Sequence, residues 1–216
     1  MSEASLKINE IFFSIQGESL LAGKPTVFVR TATCNLRCTW CDTKYSYWEG
    51  SVMSVSEILE KVKSFGGQYV CLTGGEPLGQ KGSIDLMRGL LKEGYTVSLE
   101  TNGSFSIKDV PLDVVKVIDI KCPDSGEAKS MAWENLDLAR SHDQFKFVVA
   151  SKSDFDWALK ICQDHQLEEK CHILYSPAYG KVKPQELANW ILDAKAPVTL
   201  QVQLHKEIWG PNERGV

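Results

Sequence analysis

The sequence predicts an α/β fold: an incomplete parallel (β/α) barrel of about six strands with an N-terminal extension, in a single domain over residues 1–216. Two observations carry this expectation. Short apolar, β-branched runs alternate with helical patterns along almost the whole chain, and that alternation implies right-handed crossovers and a parallel sheet. Several runs are continuously apolar, as strands buried on both faces are. Six or seven runs are too few for the closed eight-stranded barrel. In open sheets of this class, ligands bind beyond the carboxyl ends of the strands.

The runs are Thr26–Arg30, Tyr69–Thr73, Thr96–Glu100, Val114–Ile120, Phe145–Ala150, His172–Tyr175 and Val198–Leu204. Between them, Ser54 and Glu57 have the spacing of a capping box ahead of Ile58, Leu59 and Val62, so a helix starts there. Ser83 opens another, with Leu86, Met87, Leu90 and Leu91 on one stripe and Gly94 closing it. Phe155, Ala158, Leu159 and Cys162 recur at helical spacing within Ser153–His165, and Pro184 suits the first turn of a helix through Leu187, Trp190 and Ile191. No repeat, low-complexity tract or linker divides the chain.

Composition narrows the function classes. Apolar residues at 43% and charged residues at 24% lie near the globular average, which argues against disorder. The 24 basic against 28 acidic residues give a net charge of -4, the opposite of a nucleic-acid-coating surface. No apolar run approaches the roughly 18 residues of a membrane span. The opening MSEASLKINE has no apolar signal core, so the expected location is the cytoplasm. The seven cysteines are odd in number, and in a reducing compartment tight clustering points to metal or catalysis rather than disulfides.

Three of them, Cys34, Cys38 and Cys41, stand in a C-x3-C-x2-C array on the loop after the strand Thr26–Arg30. Thiolates favour zinc and iron–sulfur clusters over hard cations. A structural zinc site takes four ligands, usually as two C-x2-C pairs, and only one such pair exists here. A four-iron cluster on three cysteines keeps one iron without a protein ligand, free to bind a reactant. Cys122, at a later strand end, could instead close the cluster and make the protein an electron carrier. Cys162, His165, Cys171 and His172 have the composition of a zinc quartet. Cys171 and His172, however, are neighbours in a strand-like run and should face opposite ways, which favours ordinary core packing.

The triad's spacing and its place after the first barrel strand resemble the radical S-adenosylmethionine (SAM) enzymes. That resemblance implies a 4Fe-4S cluster whose open iron chelates the amino and carboxylate groups of SAM, and a 5′-deoxyadenosyl radical released on reduction. Thr73-Gly74-Gly75-Glu76-Pro77, at the next strand end, is similar to the element of those enzymes that receives the methionine amino group. Two glycines permit close backbone approach, and proline removes a competing donor. By the same resemblance, Trp40, Cys41, Asp42, Gly75, Glu76, Glu100 and Asn102 lie on the cofactor side. Asp119-Ile120-Lys121 and Ser176-Pro177-Ala178-Tyr179 join them from later strand ends.

Phe13-Ser14-Ile15-Gln16-Gly17-Glu18, with Gly23, Pro25 and Arg30, narrows the likeness, as do Cys41-Asp42-Thr43, Glu100–Gly103 and Gln203-Leu204-His205-Lys206. Together these resemble the 7-carboxy-7-deazaguanine synthase family of the queuosine pathway. The likeness covers both ends and most strand tips, but residues 124–140 carry no motif that matches. It implies a lyase that converts 6-carboxy-5,6,7,8-tetrahydropterin to 7-carboxy-7-deazaguanine with loss of ammonia. It implies too that Ile15, Gln16, Gly17, Glu18, Arg30 and Thr73 bind substrate, and that Thr43 binds Mg2+. The chemistry suits these residues: Gln16 and Glu18 can match a pterin edge, and Arg30 can fork a carboxylate. Magnesium prefers oxygen ligands and keeps several waters. A homodimer and a reductant such as flavodoxin are further implications. The alternatives are a glycyl-radical activating enzyme, which would not explain the Gln16–Arg30 pocket, and the closed-cluster electron carrier.

Overall fold

A computed structural model describes residues 3–216. Its strands are β1 (Ser5–Ile15), β2 (Pro25–Thr31), β3 (Ser51–Ser54), β4 (Tyr69–Gly74), β5 (Thr96–Thr101), β6 (Val115–Asp119), β7 (Gln144–Val149), β8 (His172–Pro177) and β9 (Thr199–Leu200). Its α-helices are α1 (Val55–Lys63), α2 (Gly82–Lys92), α3 (Asn135–Leu138), α4 (Lys152–His165), α5 (Leu167–Lys170), α6 (Pro184–Ala194) and α7 (Leu204–Trp209). All nine strands form one open sheet in the order β3-β1-β2-β4-β5-β6-β7-β8-β9. From β2 to β9 every pairing is parallel, while β1 runs antiparallel to β2 and β3. The expected incomplete barrel is therefore six full parallel strands plus the two-residue β9, and the N-terminal extension is an antiparallel ribbon.

Local chemistry explains the element starts. Ser54 and Glu57 close the capping box of α1, with Ser54 N–H donating to Glu57 Oε2 at 2.7 Å. At α2 the helix begins at Gly82, not Ser83. The Ser83 hydroxyl bonds the Pro77 carbonyl at 2.6 Å, and a side chain on Gly82 would place Cβ 2.5 Å from the Ser5 carbonyl. Helices pack on the outer face of the sheet over fully buried Val27, Val29, Val70, Leu72, Val97 and Leu99.

Two features differ from the runs read in the sequence. Of the run Val198–Leu204 only Thr199–Leu200 pairs as a strand, because Gln201 turns its side-chain amide to both backbone groups of Ser19, at 2.9 Å each. Leu204 then starts α7, whose N–H bonds the Gly17 carbonyl at 3.0 Å. The second is β1 itself, which no predicted run covers. Its register shifts between Ile8 and Glu10, and this bulge reverses which side chains face the helices. Leu6 and Ile8 are buried under α1 and α2 before it; Ile11 and Phe13 take that side after it. Glu10 and Phe12 consequently face inward, opposite Arg30 and Phe28 of β2.

Candidate active site

The carboxyl ends of the parallel strands surround a cavity of about 470 Å³. Cys34, Cys38 and Cys41 line it from the loop after β2, all partly exposed, with Trp40 between them. That loop is held by Arg37, whose Nη1 donates to the carbonyls of Cys34 and Leu36 at 2.7 Å each. Among the described residues no three His, Cys, Asp or Glu side chains converge on one metal ion. Three sulfurs spread around one cavity suit a cluster that takes one thiolate per iron. Burial raises the Cys34 thiol above its ordinary value and pushes Cys38 up to about 11, so binding iron at these two must displace protons. Cys122 is fully buried in the apolar core, turned away from the cavity, and so does not complete the set. Cys171 is buried while His172 beside it is exposed, as alternation requires.

The tip of β4 depends on its glycines. Gly75 N–H bonds the Thr31 carbonyl at 2.9 Å, and a Cβ on Gly75 would fall 1.8 Å from the Thr33 oxygen. Glu76 does not face the cavity. Its carboxylate accepts from Leu78 N–H (2.9 Å), the Thr101 hydroxyl (2.8 Å) and Asn102 N–H (2.7 Å), so it orders the β5 tip. Asn102 in turn donates toward Cys34 Sγ at 3.5 Å. Ala178 and Tyr179 reach the cavity; Ile120, Ser176 and Pro177 are buried behind it. Asp119 bonds Lys121 at 2.9 Å through Oδ2, while Oδ1 is buried without a protein partner.

The same cavity is lined by Ile15, Gln16, Gly17, Glu18, Arg30 and Thr73. Glu100 belongs with this group geometrically: it accepts from Gln16 Nε2 at 3.3 Å and from the Thr73 hydroxyl at 2.8 Å. Glu18 is held by Lys146 Nζ at 2.6 Å and by Gln203 Nε2 at 2.7 Å. The tail closes this side. A Cβ on Gly17 would lie 2.1 Å from His205 Nδ1, and Lys206 bonds Asp42 at 2.7 Å. Asp42 also accepts the Thr43 hydroxyl proton at 2.9 Å, and the Lys206 ammonium outweighs burial to hold its carboxyl far below the ordinary range.

Sequence reasoning missed Lys146, Glu10 and Tyr45. A lysine inside the run FKFVVA was the available signal, since a lysine buried in a strand requires a partner. Burial opposes both charges of the Lys146–Glu18 pair, yet their attraction wins: Glu18 is lowered and Lys146 raised from the ordinary 4.5 and 10.5. The pair's contribution is therefore full between those values. It fades as pH falls through the lowered Glu18 value or rises through the raised Lys146 value. Lys146→Met should cost about 3–5 kcal/mol at pH 7 by stranding a buried carboxylate. The melting-temperature gap to wild type should narrow at acid pH as Glu18 protonates, and a gap independent of pH would contradict this.

Comparison with known proteins fits this geometry. The family model described as Radical SAM superfamily matches residues 28–118, from β2 through β6. A 7-carboxy-7-deazaguanine synthase of Koribacter versatilis is 42% identical, covering 98% of this chain and 100% of its own. One from Chlorobaculum tepidum is 43% identical, covering 100% and 99%. The chain belongs to the 7-carboxy-7-deazaguanine synthase family. Members of this family are radical SAM enzymes, so a 4Fe-4S cluster and SAM are its cofactors. The crystal structure of QueE from Escherichia coli shares the synthase fold, with a TM-score of 0.78 at 20% identity over 93% of this chain and 95% of that one. In this synthase family member no helix among the described residues is long and apolar enough to cross a membrane.

Proposed function

We propose that this chain converts 6-carboxy-5,6,7,8-tetrahydropterin to 7-carboxy-7-deazaguanine with release of ammonia, in the cytoplasm, as a homodimer served by a reductant such as flavodoxin. The observation that carries the reading is one cavity lined by both the cysteine triad and Gln16, Glu18, Arg30, Thr73 and Glu100. When bound, the cluster and SAM supply the one-electron cleavage that starts the reaction. The chain's own residues do the rest. Cys34, Cys38 and Cys41 would hold the cluster through three of its irons, leaving one free for SAM. Gly75 would admit the methionine end to the backbone, and Asp119, whose Oδ1 has no protein partner, would accept a cofactor hydroxyl. Glu18, kept ionised by Lys146, accepts N–H groups of the pterin edge, and Gln16 and Glu100 complete that edge. The test is anaerobic reconstitution, reduction and incubation with the carboxylated pterin. 7-Carboxy-7-deazaguanine and ammonia in equal amounts are expected; cleavage of SAM without deazaguanine would overturn the substrate assignment and favour an activating enzyme.

Thr43 is the proposed protein ligand of a magnesium ion. It lines the cavity, and its hydroxyl proton is committed to Asp42, which leaves its oxygen lone pairs available. A neutral hydroxyl is a weak ligand, so water and substrate oxygens must supply most of the coordination, and the ion should bind only with substrate. Its role would be to fix and polarise the substrate carboxylate. Across a magnesium titration, Thr43→Ala should lose the magnesium stimulation of turnover selectively. Identical dependence in wild type and variant would leave Thr43 as a loop residue.

A further inference from the structure

The antiparallel ribbon, outside the barrel proper, builds part of this cavity. Its bulge between Ile8 and Glu10 sends Glu10 and Phe12 of β1 to the inner face, and cross-strand pairing sets them against Arg30 and Phe28 of β2. Phe12 and Phe28 stack with ring centroids 4.9 Å apart, and the Arg30 guanidinium lies 5.6 Å from the Phe12 ring. Arg30 Nε donates to Glu10 Oε1 at 2.7 Å, and the Tyr45 hydroxyl donates to that same oxygen at 3.1 Å. Arg30 Nη1 and Nη2 make no hydrogen bond to any described residue, and Arg30 lines the cavity.

A guanidinium can meet a carboxylate by its side edge, Nε and one Nη, or by its end, Nη1 and Nη2. Here the side edge is taken. We infer that Glu10 is a positioning residue of the substrate-carboxylate subsite: by occupying Nε it aims the Nη1–Nη2 end of Arg30 into the cavity for the carboxylate of the pterin. Tyr45 holds Glu10 from the other side, and the Phe12 face fixes the guanidinium plane. The device orients Arg30 before substrate arrives, so less rotamer freedom is lost on binding. It also favours an acid over its neutral analogue, because Arg30 without a carboxylate keeps an unpaired end. This inference rests on the proposed substrate and its contact with Arg30.

The experiment uses the reconstituted holoenzyme with SAM and no reductant. Affinity is measured for 6-carboxytetrahydropterin and for tetrahydropterin lacking the carboxylate, in wild type, Glu10→Ala and Glu10→Gln. Wild type should prefer the acid. Glu10→Ala should weaken binding of the acid by about tenfold, the scale of one charge-assisted hydrogen bond. Its affinity for the uncarboxylated pterin should stay within about twofold of wild type, since that ligand makes no use of the oriented fork. Glu10→Gln, which keeps an acceptor oxygen and the side-chain shape, should fall between. Retained visible absorbance of the cluster shows that each variant is folded. Equal losses for both pterins would make Glu10 a purely structural residue and overturn the inference, as would no loss for either. A wild type that binds both pterins equally would overturn the carboxylate subsite, and Glu10's role with it. Discrimination in wild type that survives in Glu10→Ala overturns Glu10 alone.

Discussion

Cys34→Ala, Cys38→Ala and Cys41→Ala are each expected to lose the 4Fe-4S cluster, while Cys122→Ala keeps it. The three cysteines of the loop after β2 open onto one cavity, where each would cap a separate iron of the proposed cluster. With one removed, the cluster has two protein ligands and two open irons, which strips it of the chelation that holds it. Cys122 sits in the apolar core among groups such as Ile118 and Ile120, where burial keeps its thiol protonated well beyond the ordinary range. Its loss removes only a small packed side chain, which should cost on the order of 1 kcal/mol. Iron and sulfide content per chain, with the visible absorbance, measures this. A Cys122→Ala protein without iron, beside a Cys34→Ala protein that keeps it, would make the site a closed carrier.

Gly75→Ala is expected to abolish SAM binding and to lower stability. The added Cβ would stand 1.8 Å from the Thr33 oxygen and 2.4 Å from its carbonyl carbon, both backbone atoms that no rotamer change can move aside. Relief requires the β4 tip to separate from the loop that carries the cysteines. It would break the bonds from Gly75 N–H to Thr31 and from Glu76 N–H to Thr33. Overpacking of this kind costs about 1–3 kcal/mol and more where backbone must shift. Gly79, four residues on, is the control. A Cβ there meets the Phe105 ring at 3.7 Å and Glu76 Cγ at 4.0 Å, both ordinary contacts, so Gly79→Ala should be nearly silent. Melting temperature and SAM affinity together check the pair, and a Gly75→Ala protein that binds SAM as wild type does would remove the close-approach argument.

The parallel strands could be read from sequence because each is a local apolar run, and β2, β4, β5 and β7 begin or end within a residue of the runs that predict them. The capping box at Ser54 was equally local. What stayed hidden is long-range or phase-shifted. In β1 the bulge at Asn9 breaks the alternation that Leu6 and Ile8 begin, so no single period spans Ser5–Ile15. The run Val198–Leu204 has strand composition, but Gln201 is claimed by Ser19, far away in sequence. The cysteine triad declared itself by spacing. The Glu18–Lys146 and Glu10–Arg30 pairs did not, since each joins two strands or loops whose meeting depends on the sheet order. Glu76 shows the same limit in reverse: its motif was legible, but only the geometry shows that its carboxylate serves Thr101 and Asn102.

With no fourth cysteine on the loop, one iron of the cluster should be left for SAM. The most direct measurement is the electron paramagnetic resonance spectrum of the reconstituted, reduced protein with and without SAM, using SAM labelled with nitrogen-15 at the methionine amino group. SAM is expected to change the cluster signal, with hyperfine coupling to the labelled nitrogen. A cluster signal untouched by saturating SAM would contradict it.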